Sequence, residues 1–104
     1  MNKDFVTFEQ SVKLASLAGF EVPALVNFYP NPTYSQAFRW FREKHNIYCI
    51  ILASYADSKV IKDRFFYEVA IGGKIKQELE YHATYEEAES ACLDKLIEMV
   101  RANG

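Results

Sequence analysis

The stretch YSQAFRWFREKHN, residues 34–46, interleaves basic and aromatic side chains at short spacing. Arg39, Trp40 and Arg42 are the residue types that contact phosphates and stack on bases, so nucleic-acid binding is the first chemistry to weigh. The chain as a whole argues against it, because 12 basic residues stand against 14 acidic ones and the formal net charge is −2. Proteins that hold phosphates usually carry a basic excess.

Histidines and cysteines are the residues that could hold a transition metal or attack a substrate. His45 and His82 fall on different predicted elements, and Cys49 and Cys92 lack CxxC spacing. We expect a helix-end or surface position for each histidine. Both cysteines lie among apolar residues, which predicts two buried reduced thiols, with a disulfide or a metal pair as the alternative. No catalytic residue, metal ligand or cofactor is predicted.

Carboxylate pairs are present, and Glu78 and Glu80 share one strand face in a geometry that suits acid–base catalysis. The alternation with Lys76 and His82 is explained more simply by a solvated strand face. Gly72-Gly73 joins two strands instead of opening a helix, so it does not match a phosphate-binding loop. The sequence therefore favours a non-enzymatic protein, and an enzyme whose site is assembled from distant residues is the alternative.

Three amphipathic helices are expected to carry these residues. Thr7 and Gln10 form a capping box, which predicts a first helix over residues 8–18 that ends before Gly19. Its apolar residues are expected to face inward: Phe8, Val12, Ala15 and Ala18, with Leu14 and Leu17 beside them. A third helix is predicted from Tyr85 to about Arg101, behind a second capping box.

The second helix begins near Thr33 or Ser35 and contains the basic-aromatic stretch. Its inward side is predicted to hold Tyr34, Ala37, Phe38, Phe41 and His45. Arg39 and Arg42 then point outward, where Arg39 can pair with Glu43 four residues on. Trp40 lies at the border between the two sides, and the sequence does not show what covers it.

Three strands follow the second helix. Residues 47–55, IYCIILASY, are apolar on both faces, which predicts a central strand covered on both sides. Residues 60–71 form the second strand, and Gly72-Gly73 predicts a two-residue hairpin. The third strand is predicted to expose one face to solvent and is expected near a sheet edge.

The predicted fold of residues 1–104 is a single α+β domain with the element order α-(β)-α-β-β-β-α. It is a three-stranded antiparallel meander packed by three helices. A short extra strand within residues 20–29 would be an edge strand, because Pro23 cannot donate to a ladder. The N-terminus lacks the apolar stretch of a signal peptide, and Ile47–Ala53 is too short to cross a bilayer. We expect a cytoplasmic protein with no membrane association.

The second face of this sheet needs a cover, because it presents Tyr48, Ile50, Leu52, Phe66 and Ala70. Either the first helix crosses over to it or another chain packs on it. The sequence thus predicts a homodimer or an unidentified protein partner. The candidate interaction surface comprises Trp40, Tyr48, Ile50, Leu52 and Phe66.

A nucleic-acid-binding module is the alternative function. From Thr33 onward the order α-β-β-β-α is also that of the double-stranded RNA-binding domain. That family carries a lysine-rich turn at the start of its last helix, whereas the matching segment here, TYEEAES, holds three glutamates. Nucleic acid is therefore disfavoured as a partner, and its candidate contacts are Arg39, Trp40 and Arg42.

Residues 36–51, QAFRWFREKHNIYCII, resemble a pattern in small uncharacterised proteins of bacteriophages and mobile elements. In that group a Gln-x-x-x-Trp-(Leu/Phe)-Arg-Glu-x-His helix runs directly into an Ile-rich strand. The group opens with a helix ending in Gly-Phe, as at residues 18–20, and closes with a Tyr-x-Glu-Ala helix, as at residues 85–88. The resemblance implies a phage- or prophage-encoded accessory protein with no established activity, and it transfers no catalytic residue.

Overall fold

The computed structural model describes residues 4–20, 32–53 and 65–103, apart from the side chains of residues 76–80 and 103. The helices are α1 (Phe8–Ala15), α2 (Tyr34–His45) and α3 (Tyr85–Asn103), and the strands are β1 (Ile47–Ala53), β2 (Phe65–Ile71) and β3 (Lys74–His82). The strands form an antiparallel sheet in the order β1-β2-β3, which confirms the predicted α+β class and meander. The extra strand predicted within residues 20–29 lies, beyond Phe20, outside the described residues. Within the described ranges, no helix has the length and hydropathy that a membrane span requires.

Two identical local motifs start the first two helices. The Thr7 hydroxyl accepts a hydrogen bond from the Gln10 backbone N–H at 3.1 Å, and the Gln10 side chain accepts one from the Thr7 N–H at 3.0 Å. Thr33 and Gln36 repeat this box at the start of α2, with distances of 3.1 and 2.8 Å. Each box satisfies two backbone groups within four residues. The box at Thr7 confirms the predicted one, whereas the box at Thr33 was not predicted and decides between the two starts expected for the second helix, Thr33 and Ser35.

The buried face of α1 differs from the predicted one. Phe8 and Val12 are 74% and 54% exposed, whereas Gln10 is buried. Leu14 and Leu17, expected beside the stripe, are buried as predicted. The physical reason for the difference is that α1 packs on α3, where the Gln10 side chain donates hydrogen bonds to the carbonyl and the hydroxyl of Ser90. The predicted apolar stripe of α1 therefore lies in solvent.

Helices α2 and α3 pack on one face of the sheet and enclose the core. Tyr67 and Val69 on β2 are buried against this layer, together with Phe41 of α2. The described elements of the chain cover β1 on one face only, since Tyr48 and Ile50 on its other face are exposed, and the first helix does not provide the second cover. Of the three described strands, β2 lies in the middle.

The hairpin between β2 and β3 is the predicted two-residue turn. Gly72 and Gly73 have φ values of 54° and 81°, and the flanking residues Ile71 and Lys74 pair across it. Two successive positive φ angles match the right-handed twist of the strands, and glycine adopts them without steric cost.

Cys49 and Cys92 are joined by a disulfide, so the prediction of two reduced thiols is wrong and its alternative holds. Cys49 lies on the helix-facing side of β1, and Cys92 is a fully buried position of α3. The packing of α3 across β1 brings the two sulfur atoms together, although 43 residues separate them in the chain.

Candidate interaction surface

The sheet has an open face, which is the side of its strands opposite the helices. Residues that pair directly across neighbouring strands point to the same face of a sheet. Tyr48 pairs with Ala70, and Ala70 pairs with Ile75, so these three residues lie on the open face. Tyr81 joins them through its ring, whose centroid lies 5.5 Å from that of Phe66. The described side chains of the open face are Tyr48, Ile50, Leu52, Phe66, Glu68, Ala70, Ile75 and Tyr81.

Large apolar side chains on the open face are accessible to solvent. Tyr48, Ile50, Ile75 and Tyr81 are 45%, 44%, 64% and 42% exposed, respectively. Helix α1 does not provide the cover that the sequence allowed for, because among the described elements it packs only on α3. Of the five residues predicted as an interaction surface, four are thus brought together here: Tyr48, Ile50, Leu52 and Phe66.

The charge pattern of the open face resembles the centre of a protein interface. Glu68 is its only charged residue among the described side chains, and it lies beside Ile50 on the neighbouring strand. Two tyrosines and a phenylalanine contribute the aromatic component. Interface cores are enriched in aromatic residues and depleted of charge. The open face can therefore bury apolar area against a partner, and Glu68 is the one carboxylate among its described side chains that such a contact must accommodate.

Trp40 does not belong to the open face. Its indole Nε1 donates a hydrogen bond to the Gly19 carbonyl oxygen at 3.3 Å. Its ring contacts those of Phe20, Phe41 and His45 in edge-on geometry, with centroid distances of 5.0–5.1 Å. The tryptophan that the sequence left uncovered is thus held by the segment after α1.

The outer face of α2 carries the candidate nucleic-acid contacts. Arg39 Nε lies 2.8 Å from Glu43 Oε1, which confirms the predicted ion pair and lowers the pKa of the Glu43 carboxyl. Arg42 is exposed on the same helix. Glu43 neutralises the charge of Arg39, and the Trp40 ring packs against its own chain. Arg39 and Trp40 are therefore not available on this face to bind phosphate or to stack on a base.

The start of α3 is acidic in the structure as in the sequence. The Glu87 carboxylate accepts a hydrogen bond from the Ala83 N–H at 3.2 Å, and the Thr84 hydroxyl accepts one from the Glu87 N–H at 3.1 Å. Burial raises the pKa of the half-buried Glu89 carboxyl, and the negative charges of Glu86 and Asp4 raise it further. An anionic phosphate backbone would meet repulsion here.

The two histidines lie on different parts of the molecule. His45 ends α2 with its ring against Trp40. His82 was predicted on the charged face of β3, but its ring stacks on Tyr67 on the helix-facing side, with centroids 6.5 Å apart. Ile75 and Tyr81 lie on the open face, so by alternation the side of β3 that carries His82 faces the helices, and the solvated side predicted for His82 is the wrong one. In the described part of the chain, His, Cys, Asp and Glu form no group of three that could hold a metal ion.

Sequence reasoning missed the second role of Gln10. Besides capping α1, its amide donates to Asp94 Oδ1 at 3.2 Å, and its carbonyl accepts from the Tyr34 hydroxyl at 3.0 Å. Burial raises the pKa of Tyr34. Gln36 occupies the same place in an identical box, so the local sequence contains no signal that separates the two glutamines.

Comparisons of the chain with protein-family models, with curated proteins and with solved structures found no match. The function therefore has to be argued from the geometry of the open face.

Proposed function

We propose that this chain is a non-enzymatic interaction domain that self-associates as a homodimer through the open face. The observation that carries the proposal is the exposure of Tyr48 and Ile50 on a strand whose sequence is apolar on both sides. Strand β1 has the sequence pattern of a strand that is buried on both faces, but helices pack on only one of its faces. A second copy of the chain supplies the missing layer.

The area of the open face suits such a contact. A large side chain such as an aromatic one buries about 150–250 Å² when fully covered. The four most exposed side chains of the open face are each about half exposed, so together they present on the order of 400 Å². A partner in a standard interface contributes about 800 Å². The open face thus forms roughly the central half of such an interface, and the surrounding rim contributes the rest.

A second copy is the occupant that we favour because two sheets pack face to face through alternating apolar side chains. A two-fold axis places the same patch on both subunits, so the apolar residues of one copy meet those of the other. The two Glu68 carboxylates then repel each other when they approach. We therefore expect Glu68→Gln to tighten the dimer, whereas an unrelated cationic partner would bind this variant more weakly.

Sedimentation equilibrium over a wide concentration range tests the dimer. We expect a concentration-dependent monomer–dimer equilibrium for the native chain and a monomer for Ile50→Glu, because a buried unpaired carboxylate is costly. Val12→Glu is the matched control, since Val12 is an exposed aliphatic residue outside the open face. A native chain that stays monomeric at high concentration would exclude the proposal. Loss of the dimer in Val12→Glu alone would move the interface to α1.

The same proposal keeps the cytoplasm as the location, although disulfides are uncommon in that compartment, and a bacteriophage or mobile element as the origin. The helix–strand pattern of residues 36–51 supports that origin. Prophage genes beside the gene for this chain would strengthen the assignment, and a setting among housekeeping genes would count against it. A salt titration with duplex RNA and DNA addresses the alternative function, and we expect no binding at low salt, where phosphate contacts are strongest.

A further inference from the structure

A small cleft opens between α2 and α3 on the helix side of the sheet. Its volume is about 250 Å³, and its lining includes Phe38 and Arg42 from α2, Cys49 from β1, and Tyr85 and Glu89 from α3. The cleft lies on the opposite side of β1 from the open face. Chemistry in the cleft is therefore independent of self-association.

The two cysteines of the disulfide differ in exposure. Cys49 is partly exposed and lines the cleft, whereas Cys92 is fully buried in the core beneath α3. Thiol–disulfide exchange requires a thiolate to reach one of the sulfur atoms, so access decides which sulfur is attacked. Of the two residues, Cys49 is the one that a dissolved thiol can approach in the folded protein.

We propose that Cys49 is a thiol-exchange site at which a low-molecular-weight thiol reversibly opens the link between β1 and α3. The thiol loses its proton to solvent, and its thiolate attacks Cys49 Sγ and forms a mixed disulfide there. The bond between Cys49 and Cys92 breaks, and the Cys92 sulfur leaves with the electron pair and takes up a proton. A second thiol molecule attacks the mixed disulfide, which releases Cys49 as a thiol and leaves the small thiol oxidised to its disulfide.

The charges of the cleft select among small thiols. Arg42 presents a cation on one wall and Glu89 a carboxylate on the other. A zwitterionic thiol of the amino-acid type carries a carboxylate and an ammonium group that complement both walls. Partly exposed charge pairs contribute modest energies, so we expect glutathione or cysteine to react about two- to fivefold faster than neutral 2-mercaptoethanol at equal thiolate concentration. Arg42→Ala is expected to remove that preference and to leave the reaction with 2-mercaptoethanol unchanged.

Peptide mapping by mass spectrometry tests the site. The native protein is incubated with glutathione, quenched with an alkylating reagent in denaturant, so that buried thiols are also labelled, and digested without reductant. We expect the glutathione adduct on Cys49 and an alkylated thiol on Cys92. An adduct on Cys92, equal adducts on both cysteines, or alkylation of both cysteines before any thiol is added would overturn the proposal.

Single-cysteine variants provide a second test that does not depend on the disulfide. In Cys92→Ser the partly exposed Cys49 thiol is expected to react with a thiol-specific reagent without local unfolding of the protein. In Cys49→Ser the buried Cys92 is expected to react at least ~100-fold more slowly, because reaction requires local unfolding. If Cys92→Ser does not fold, Cys92→Val replaces it. Comparable rates for the two cysteines would contradict the assignment of Cys49 as the accessible sulfur.

Discussion

The indole Nε1 of Trp40 donates a hydrogen bond to the backbone carbonyl oxygen of Gly19 at 3.3 Å, and this contact joins the middle of α2 to the segment after α1. The Phe20 ring meets the indole edge-on with centroids 5.1 Å apart. A residue that looks in the sequence like a stacking platform for bases therefore fastens the N-terminal segment to the helical layer.

Replacing Trp40 separates these two contributions. Trp40→Phe retains a ring but loses the donor, and we expect a loss of about 0.5–1 kcal/mol in the free energy of unfolding. Trp40→Ala also loses the ring contacts and is expected to cost about 2–3 kcal/mol, less than a fully buried tryptophan because the side chain is partly exposed. Urea denaturation followed by circular dichroism measures both. Lys44→Ala, an exposed change on the same helix, is the control, and a Trp40→Ala variant as stable as this control would refute the anchoring role.

The two capping boxes offer a matched comparison of Gln10 and Gln36. Gln36→Ala removes one helix cap, which costs about 1 kcal/mol. Gln10→Ala removes the same cap and also leaves the Tyr34 hydroxyl and the side chains of Ser90 and Asp94 without this partner. Of these groups the Tyr34 hydroxyl is buried, and an unsatisfied buried polar group costs about 1–3 kcal/mol, so Gln10→Ala is expected to be the more destabilising variant by up to about that margin. Equal losses in denaturant titrations would show that the contacts between helices contribute nothing.

Glu89 predicts a pH dependence of stability. Burial and the nearby acidic residues raise the pKa of its carboxyl in the folded protein. A raised folded pKa means that folding favours the protonated form of Glu89. The contribution of this group to stability is therefore complete below its unfolded pKa of about 4.3 and is lost as the pH rises through the folded pKa. Glu89→Gln should therefore unfold at higher temperature than the native chain at pH 7.

Thermal melts from pH 3 to pH 8 check this expectation. The difference between Glu89→Gln and the native chain should shrink to nothing at the acidic end, where both side chains are neutral. Glu98→Gln is the control, since Glu98 is an exposed position of the same helix. A stabilisation by Glu89→Gln that is constant over the whole range would rule out the titration of Glu89 as its cause.

The disulfide predicts a sensitivity to reductant. A cross-link that closes a loop of 43 residues restricts the unfolded chain and stabilises the fold by roughly 3–4 kcal/mol. We expect a phosphine reductant to lower the free energy of unfolding of the native protein by that amount. The double variant Cys49→Ser/Cys92→Ser should match the reduced protein and show no response to the reductant. No change in the native protein on reduction would contradict a structural contribution of the cross-link.

Asn46 tests the end of α2. It has φ of 54° and ψ of 38°, the left-handed conformation that commonly ends a helix. Asn46→Ala should cost about 1–2 kcal/mol, because a Cβ is unfavourable in this conformation. Asn46→Gly should stay within about 0.5 kcal/mol of the native chain, since glycine adopts the conformation freely. Equal stabilities of the two variants would show that the left-handed cap has no energetic weight.

The predicted parts of the fold are those that depend on neighbouring residues. The Thr7–Gln10 capping box and the glycine hairpin each involve groups within a few positions of one another, so their sequence determines their geometry. The strand faces of β2 were also predicted correctly, because alternation along a strand is fixed by the backbone. Four of the five residues of the candidate surface followed from the same alternation.

The tertiary structure decided what lies against these elements. Two helix faces of α1 compete for burial, and hydrogen bonds between Gln10 and α3 fix the outcome against the more apolar stripe. Two other contacts also depend on residues that are far apart in the chain: the hydrogen bond from Trp40 to the Gly19 carbonyl oxygen, and the disulfide between Cys49 and Cys92. The sequence by itself determined where helices and turns begin and which residues share a side. Only the packing of distant segments decided which side is buried, because burial depends on a partner surface that no local pattern specifies.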